Sequence, residues 1–185
     1  MPTLAHDTSN DLPKDVRGQV VELLNQRLAD AIDLETQTKQ AHWNVKGAQF
    51  IALHKLFDEI YLAVEEYVDL LAERVVQLGG IAEGTVRVVA ERSELTDYPR
   101  RIADGPDHVE ALAGALAEFG TRIRRAIDET DELGDRDHRW WAIRAELLAR
   151  TGDFTAAAEA MTQSLDADLP RPERNHRLRR ITLWS

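Results

Sequence analysis

Cysteine is absent from the 185-residue sequence. That excludes disulfides, thiolate metal sites and redox thiols, and it agrees with a reducing cytoplasm. Long apolar runs are missing too, and no window approaches the roughly 18 unbroken apolar residues of a membrane span. The opening MPTLAHDTSNDLPKD has neither a basic start nor an apolar stretch, so no secretory signal is expected. Period-two alternation is not found, which leaves no strand signal. Positive charge is in deficit: 23 Lys and Arg stand against 33 Asp and Glu, a net charge of -10. Such a body repels phosphate and attracts cations, which argues against general nucleic-acid affinity. Glycine and proline are scarce, at 10 and 6, and they act as punctuation between helix-forming stretches.

What is present reads as helix, in a chain long enough for one domain with a proper core. Residues 1–13 hold two prolines and are expected to form a flexible arm. A first helix is predicted from 14 to about 45, on Val16, Val20, Leu24, Leu28 and Ala31, and Gly47 follows its end. A second spans about 50–78, with Leu53, Phe57, Ile60, Val64, Tyr67 or Val68, Leu71, Val75 and Leu78 spaced by three and four, and stops at Gly79-Gly80. Residues 81–105 read as a long crossover carrying a short helix, the connection that a ferritin-like order of helices requires. Further helices are predicted at 106–133, 137–150 and 154–167, and the last 15 residues are expected to be irregular. The fold class is therefore all-α: a ferritin-like four-helix bundle over 14–150, with an atypical helical and Arg-rich extension over 151–185.

The first helix ends in AHWNVKG, which puts His42 and Trp43 in its last turn. The second carries His54 and Asp58, four apart, then Asp69 and Glu73, again four apart. At roughly 100° per residue these four fall within about 100° of one another on one helix face. Imidazole nitrogen with carboxylate oxygen is the donor set that iron and its divalent neighbours accept. The two pairs, however, are centred about 22 Å apart along the helix, too far for one metal centre. An antiparallel pairing of this helix with its copy, crossing near residues 63–64, brings His54 and Asp58 of one chain opposite Asp69 and Glu73 of the other. A two-fold contact of this kind makes two equivalent sites, and His42 is placed to complete each.

The stretches KQAHWNVKGAQFIALHKLFDEIY and EYVDLLAERVVQLGGIAEGT resemble the DNA-protection-during-starvation branch of the ferritin-like family. The resemblance covers about residues 15–134. Its motif is His42, twelve residues on to His54, four to Asp58, eleven to Asp69 and four to Glu73. It implies a ferroxidase centre with His42, His54 and Asp58 from one subunit and Asp69 and Glu73 from its mate, in a cytoplasmic homo-oligomeric cage of twelve copies. Trp43 corresponds to an aromatic beside that centre. The implied activity is oxidation of ferrous iron, with hydrogen peroxide as oxidant, and storage of the ferric mineral as a stress response against oxidative damage.

Beyond Gly134 the sequence leaves the family pattern. DRDHRWWAIRAELLARTGDFTAAAEAMTQSL looks more like one tetratricopeptide-type helical hairpin, and 137–167 must supply the apolar cover of the bundle. Asp128, Asp131, Asp135 and Asp137 lie where the family places its iron-entry pores, with their individual assignment open. The tail holds Arg171, Arg174, Arg177, Arg179 and Arg180, the candidate DNA contacts, which would associate the protein with the nucleoid. The alternative function is a DNA-compacting structural protein whose altered C-terminus impairs cage assembly.

Overall fold

The computed structural model describes residues 4–8, 10, 12–130, 138–165 and 168–185. The elements are α1 (Lys14–Asn44), α2 (Phe50–Gln77), α3 (Val86–Arg92), α4 (Gly105–Thr130), α5 (His138–Arg150), α6 (Phe154–Gln163) and α7 (Arg171–Trp184). No strand occurs among the described residues, and Lys46 and Asp104 form one isolated bridge. The chain divides into two compact units, Met1–Arg122 and Ile123–Ser185, with the division inside α4. Of the acidic residues near the expected pores, Asp131, Asp135 and Asp137 lie outside the described residues.

In the first unit α1 and α2 run antiparallel. Val21 near the start of α1 packs with Val75 and Leu78 at the end of α2, while Ala41 and Val45 pack with Phe57 and with Leu112 of α4. The turns between elements need glycine. Gly47 and Gly79 have φ of 101° and 90°, a left-handed backbone that costs an L side chain energy. At Gly80 a Cβ would come within 2.5 Å of Val21 Cγ1, so the end of α2 approaches α1 too closely for any larger residue.

The crossover has no neighbouring strand to satisfy its backbone, and α1 does so with side chains. Asn25 Nδ2 donates to Ile81 O, and Asn25 Oδ1 accepts from Glu83 N. Gln26 donates to Arg92 O, Asp30 accepts from Glu94 N, and Gln37 donates to Thr96 O. The resulting register of polar residues explains why α1 buries Asn25, Asp30 and Gln37 among its apolar ones. Burial pushes the Asp30 carboxyl up, against the pull of the Glu94 amide and of Arg27 and Arg122.

Two sequence expectations are corrected. The N-terminal arm is attached through residues 4–8 and 12: Ala5 and His6 donate to Gly79 O, Arg17 donates to Thr8 Oγ1 and Leu12 O, and Leu4 and Leu12 pack beside Val21. The tail is the helix α7, whose first turn carries Pro172 where a missing N–H costs nothing.

That helix belongs to the second unit. Its Trp184 joins Ile127, Ala145, Leu148, Ala157, Ala160 and Met161 in one apolar core. Arg177, only 4% exposed, donates to the carbonyls of His138 (2.9 Å) and Ser164 (2.7 Å) and pairs with Glu173. Arg180 pairs with Glu146 and lies over the Trp184 ring. The α5–α6 hairpin turns through Gly152 (φ 82°), and Asp153 caps α6 by accepting from Ala156 N. In the stretch expected to supply apolar cover, Leu148 is buried, Trp141 and Leu147 are partly buried against this core, and Ile143 is exposed. Trp140 donates its indole N–H to Thr130 O.

Candidate metal centre

The α1–α2 turn folds the last turn of α1 against the start of α2 and so brings His42 to His54. Their rings stack 3.6 Å apart, and His54 also faces the Phe50 ring at 5.0 Å. Each histidine Nδ1 lies 2.9 Å from the backbone carbonyl of the other. A carbonyl only accepts, so both Nδ1 atoms carry the proton. In the neutral rings Nε2 then holds the lone pair, which is the arrangement of a ligating imidazole oriented by a carbonyl behind it.

Asp58 completes this end, its Oδ1 lying 3.7 Å from His42 Nδ1. The nearer partner is Lys39, whose ammonium stands 2.5 Å from the same oxygen and 4.4 Å above the Tyr61 ring. The Lys39 hydrogen bond holds the Asp58 carboxyl below its usual range, against a smaller opposing effect of burial. Beside it the Tyr61 phenol is pushed up to about 12, first by its hydrogen bond to Glu35 and then by burial and the Glu65 charge. Sequence reasoning missed Lys39 and Tyr61. The available signal was their spacing, Lys39 three residues before His42 and Tyr61 three after Asp58, on the helix faces that bear those two residues.

Asp69 and Glu73 are exposed further along α2, so one chain brings together only His42, His54 and Asp58. No group of three or more His, Asp or Glu among the described residues is gathered closely enough to hold a metal. Trp43 is 69% exposed beside this end. Only Phe57, Val64 and Val75 of α2 are buried, whereas Phe50, Ile51, Leu56, Leu62, Tyr67, Leu70 and Val76 are exposed.

Of the arginines singled out in the tail, Arg177 and Arg180 are engaged inside the second unit, as described above. Arg171, Arg174 and Arg179 are exposed on α7.

A family profile described as a ferritin-like domain matches residues 21–140. Within that class, the chain is 43% identical over 161 residues to the DNA protection during starvation protein of Agrobacterium fabrum, covering 86% of this chain and 91% of that one. Among solved structures it is similar to DpsC from Streptomyces coelicolor, with a TM-score of 0.69 and 30% identity over 90% of this chain and 95% of that one. It is also similar to DpsA14 from the same organism, with a TM-score of 0.72 and 25% identity over 91% and 96%. The chain belongs to the DNA-protection-during-starvation family of ferritin-like proteins.

Proposed function

We propose that this chain is a subunit of a protein shell that oxidises ferrous iron and stores it, each oxidation site being completed between two copies. The observation that carries the proposal is the reciprocal histidine pair. It fixes the His42 ring of α1 and the His54 ring of α2 with Nε2 outside these bonds, beside Asp58, while α2 carries Asp69, Glu73 and several apolar side chains exposed.

The donor chemistry fits the substrate. Two imidazole nitrogens and carboxylate oxygens suit ferrous ion, and a second copy of α2 supplies Asp69 and Glu73, which the first copy holds too far away. The apolar residues exposed between the pairs are what such a contact would bury. With hydrogen peroxide as oxidant, two ferrous ions give up one electron each, the O–O bond breaks, and two protons are taken up to yield two waters. Within this scheme His42 and His54 orient substrate through rings already held by carbonyls. Asp58 exchanges the Lys39 ammonium for the incoming cation. Trp43, next to His42 in sequence and exposed, would intercept oxidising equivalents. The net charge of -10 favours collection of ferric product inside the shell. Twelve copies, protection against oxidative damage and a cytoplasmic location follow from the family resemblance.

A second reading, DNA binding, is supported by Arg171, Arg174 and Arg179 on the outer side of α7. Repeated around an assembly, these would act by multivalency. The primary proposal is tested by anaerobic loading with ferrous iron followed by hydrogen peroxide. Wild type should consume one peroxide for about two ferrous ions, and His54→Ala should lose the rapid phase. A variant as fast as wild type would overturn the assignment.

A further inference from the structure

Behind the histidine pair lies a buried imidazole with no assigned task. His108, in the first turn of α4, is fully buried, and its Nδ1 is 2.5 Å from the phenol oxygen of Tyr98 in the crossover. The Tyr98 ring stacks with it at 6.1 Å, and Phe57 of α2 closes the other side at 6.4 Å. Nε2 is buried and makes no well-formed hydrogen bond, and the Asn44 backbone carbonyl is the acceptor that the ring meets. The position is telling because His108 meets the scaffold of the site, through the Phe57 ring and the Asn44 backbone. Ala41, Val45, Phe57 and Leu112 form one core with Leu53, Ile60 and Tyr98 around them. Three of these directly precede ligands in sequence: Ala41 before His42, Leu53 before His54, and Phe57 before Asp58. Tyr98 and His108 thus tie the crossover and the start of α4 to the backbone that carries the three ligands, and the Lys46 amide bond to Ala103 O reinforces the same junction.

We infer that His108 and Tyr98 form a buried latch that positions the His42–His54–Asp58 end of the site, and that proton uptake by His108 opens it. The neutral pair is self-consistent: Tyr98 O–H donates to Nδ1, and the ring proton sits on Nε2. Burial raises the phenol to about 12, so Tyr98 remains a donor at every working pH. A protonated ring has a proton on each nitrogen, so the Tyr98 bond must reverse: Nδ1–H donates to the phenol oxygen, the phenol hydrogen turns toward the apolar residues of the core, and a positive charge is left buried. The surroundings offer little compensation. From α1 the ring meets the Asn44 backbone carbonyl, from α2 only Phe57, from the crossover Tyr98, and from α4 the charge of Asp107. Burial outweighs the carbonyl and that carboxylate, and it lowers the imidazole from its ordinary value. His108 is accordingly a positioning residue, acting through the helix ends and not on iron.

The inference rests on the proposed site, yet it can be read without iron. Amide hydrogen exchange is measured on the iron-free full chain at pH 7.5 and 5.5, corrected for intrinsic rates, for wild type, His108→Asn and Tyr98→Phe. Wild-type protection should fall severalfold at pH 5.5 in peptides spanning 41–49 and 97–112. Peptides of α6, remote in sequence, should not change. His108→Asn keeps an acceptor for Tyr98 and cannot titrate, so its protection should not depend on pH. Equal protection of wild type at both pH values, or the same fall in His108→Asn, would overturn the latch. Should His108→Asn not fold, NMR titration of the wild-type His108 ring decides instead, and an ordinary or raised value refutes the proposal. A functioning latch in a protein that oxidises no iron would sink the proposed function and leave this inference standing.

Discussion

His42 and His54 each donate Nδ1–H to the other's backbone carbonyl at 2.9 Å, so the two rings are fixed by the helix ends they belong to. Each ring is held by the backbone of the other residue, so losing one ring removes the stacking partner of the other and leaves its hydrogen bond in place. His54→Ala keeps the backbone carbonyl that holds His42 and removes only the His54 ring with its Nε2, so His42 should stay oriented while ferrous oxidation falls by about 10- to 100-fold, the range typical of a disturbed metal environment. Stopped-flow absorbance at pH 7 checks this, with far-UV circular dichroism expected to be unchanged. Asp58→Ala should give a similar loss without freeing the rings.

Lys39 occupies the Asp58 carboxylate as a built-in cation. Lys39→Met should raise the affinity for a divalent probe such as cobalt(II) severalfold at pH 7, measured by calorimetry on iron-free protein. The same substitution should move the Asp58 carboxyl up toward its ordinary value. The sign follows from the lowered folded value: whatever stability the pair adds is present above the ordinary carboxylate range and is lost as pH falls through the lowered value. Asp58 is half exposed, so that stability effect is small. An unchanged cobalt affinity would show that the ammonium does not compete.

The second unit gives a prediction about α7. Arg177→Ala would leave the carbonyls of His138 and Ser164 without their donor, at a cost of about 1–3 kcal/mol. Thermal unfolding followed by circular dichroism should show the loss. Replacing Arg171, Arg174 and Arg179 together with Ser should leave unfolding unchanged and abolish any DNA retardation at low salt. Deleting residues 168–185 does both kinds of damage at once, since it also removes Trp184 from the core.

The contrast between α2 and α7 shows what the sequence made legible. Leu53, Phe57, Val64 and Val75 repeat with helical period, and Gly79-Gly80 marks the stop, so α2 was readable to within a residue or two. The ligand spacing on its face was equally plain. In α7 the inward face is built from Arg177, Arg180, Ile181 and Trp184, and guanidinium groups that bond carbonyls leave no apolar period to detect. The grip of α1 on the crossover was hidden for a related reason: Asn25, Asp30 and Gln37 look like a solvated face until their partners, which are backbone atoms, are placed. Lys39 went unseen because a lysine among ligands carries no motif.

The central claim is that each oxidation site takes one ligand group from each of two chains, and co-assembly tests it most directly. One variant carries His54→Ala with Asp58→Ala, and the other carries Asp69→Ala with Glu73→Ala. Each alone should oxidise ferrous iron no faster than the background reaction. Unfolded and refolded together, with mixing verified by mass spectrometry, a mixed pair regains one intact site of its two, because the four substitutions all fall in the other. The account predicts that rapid ferrous oxidation reappears in the mixture in proportion to the mixed pairs. No recovery in verified mixed assemblies, or full activity in either variant alone, would contradict it.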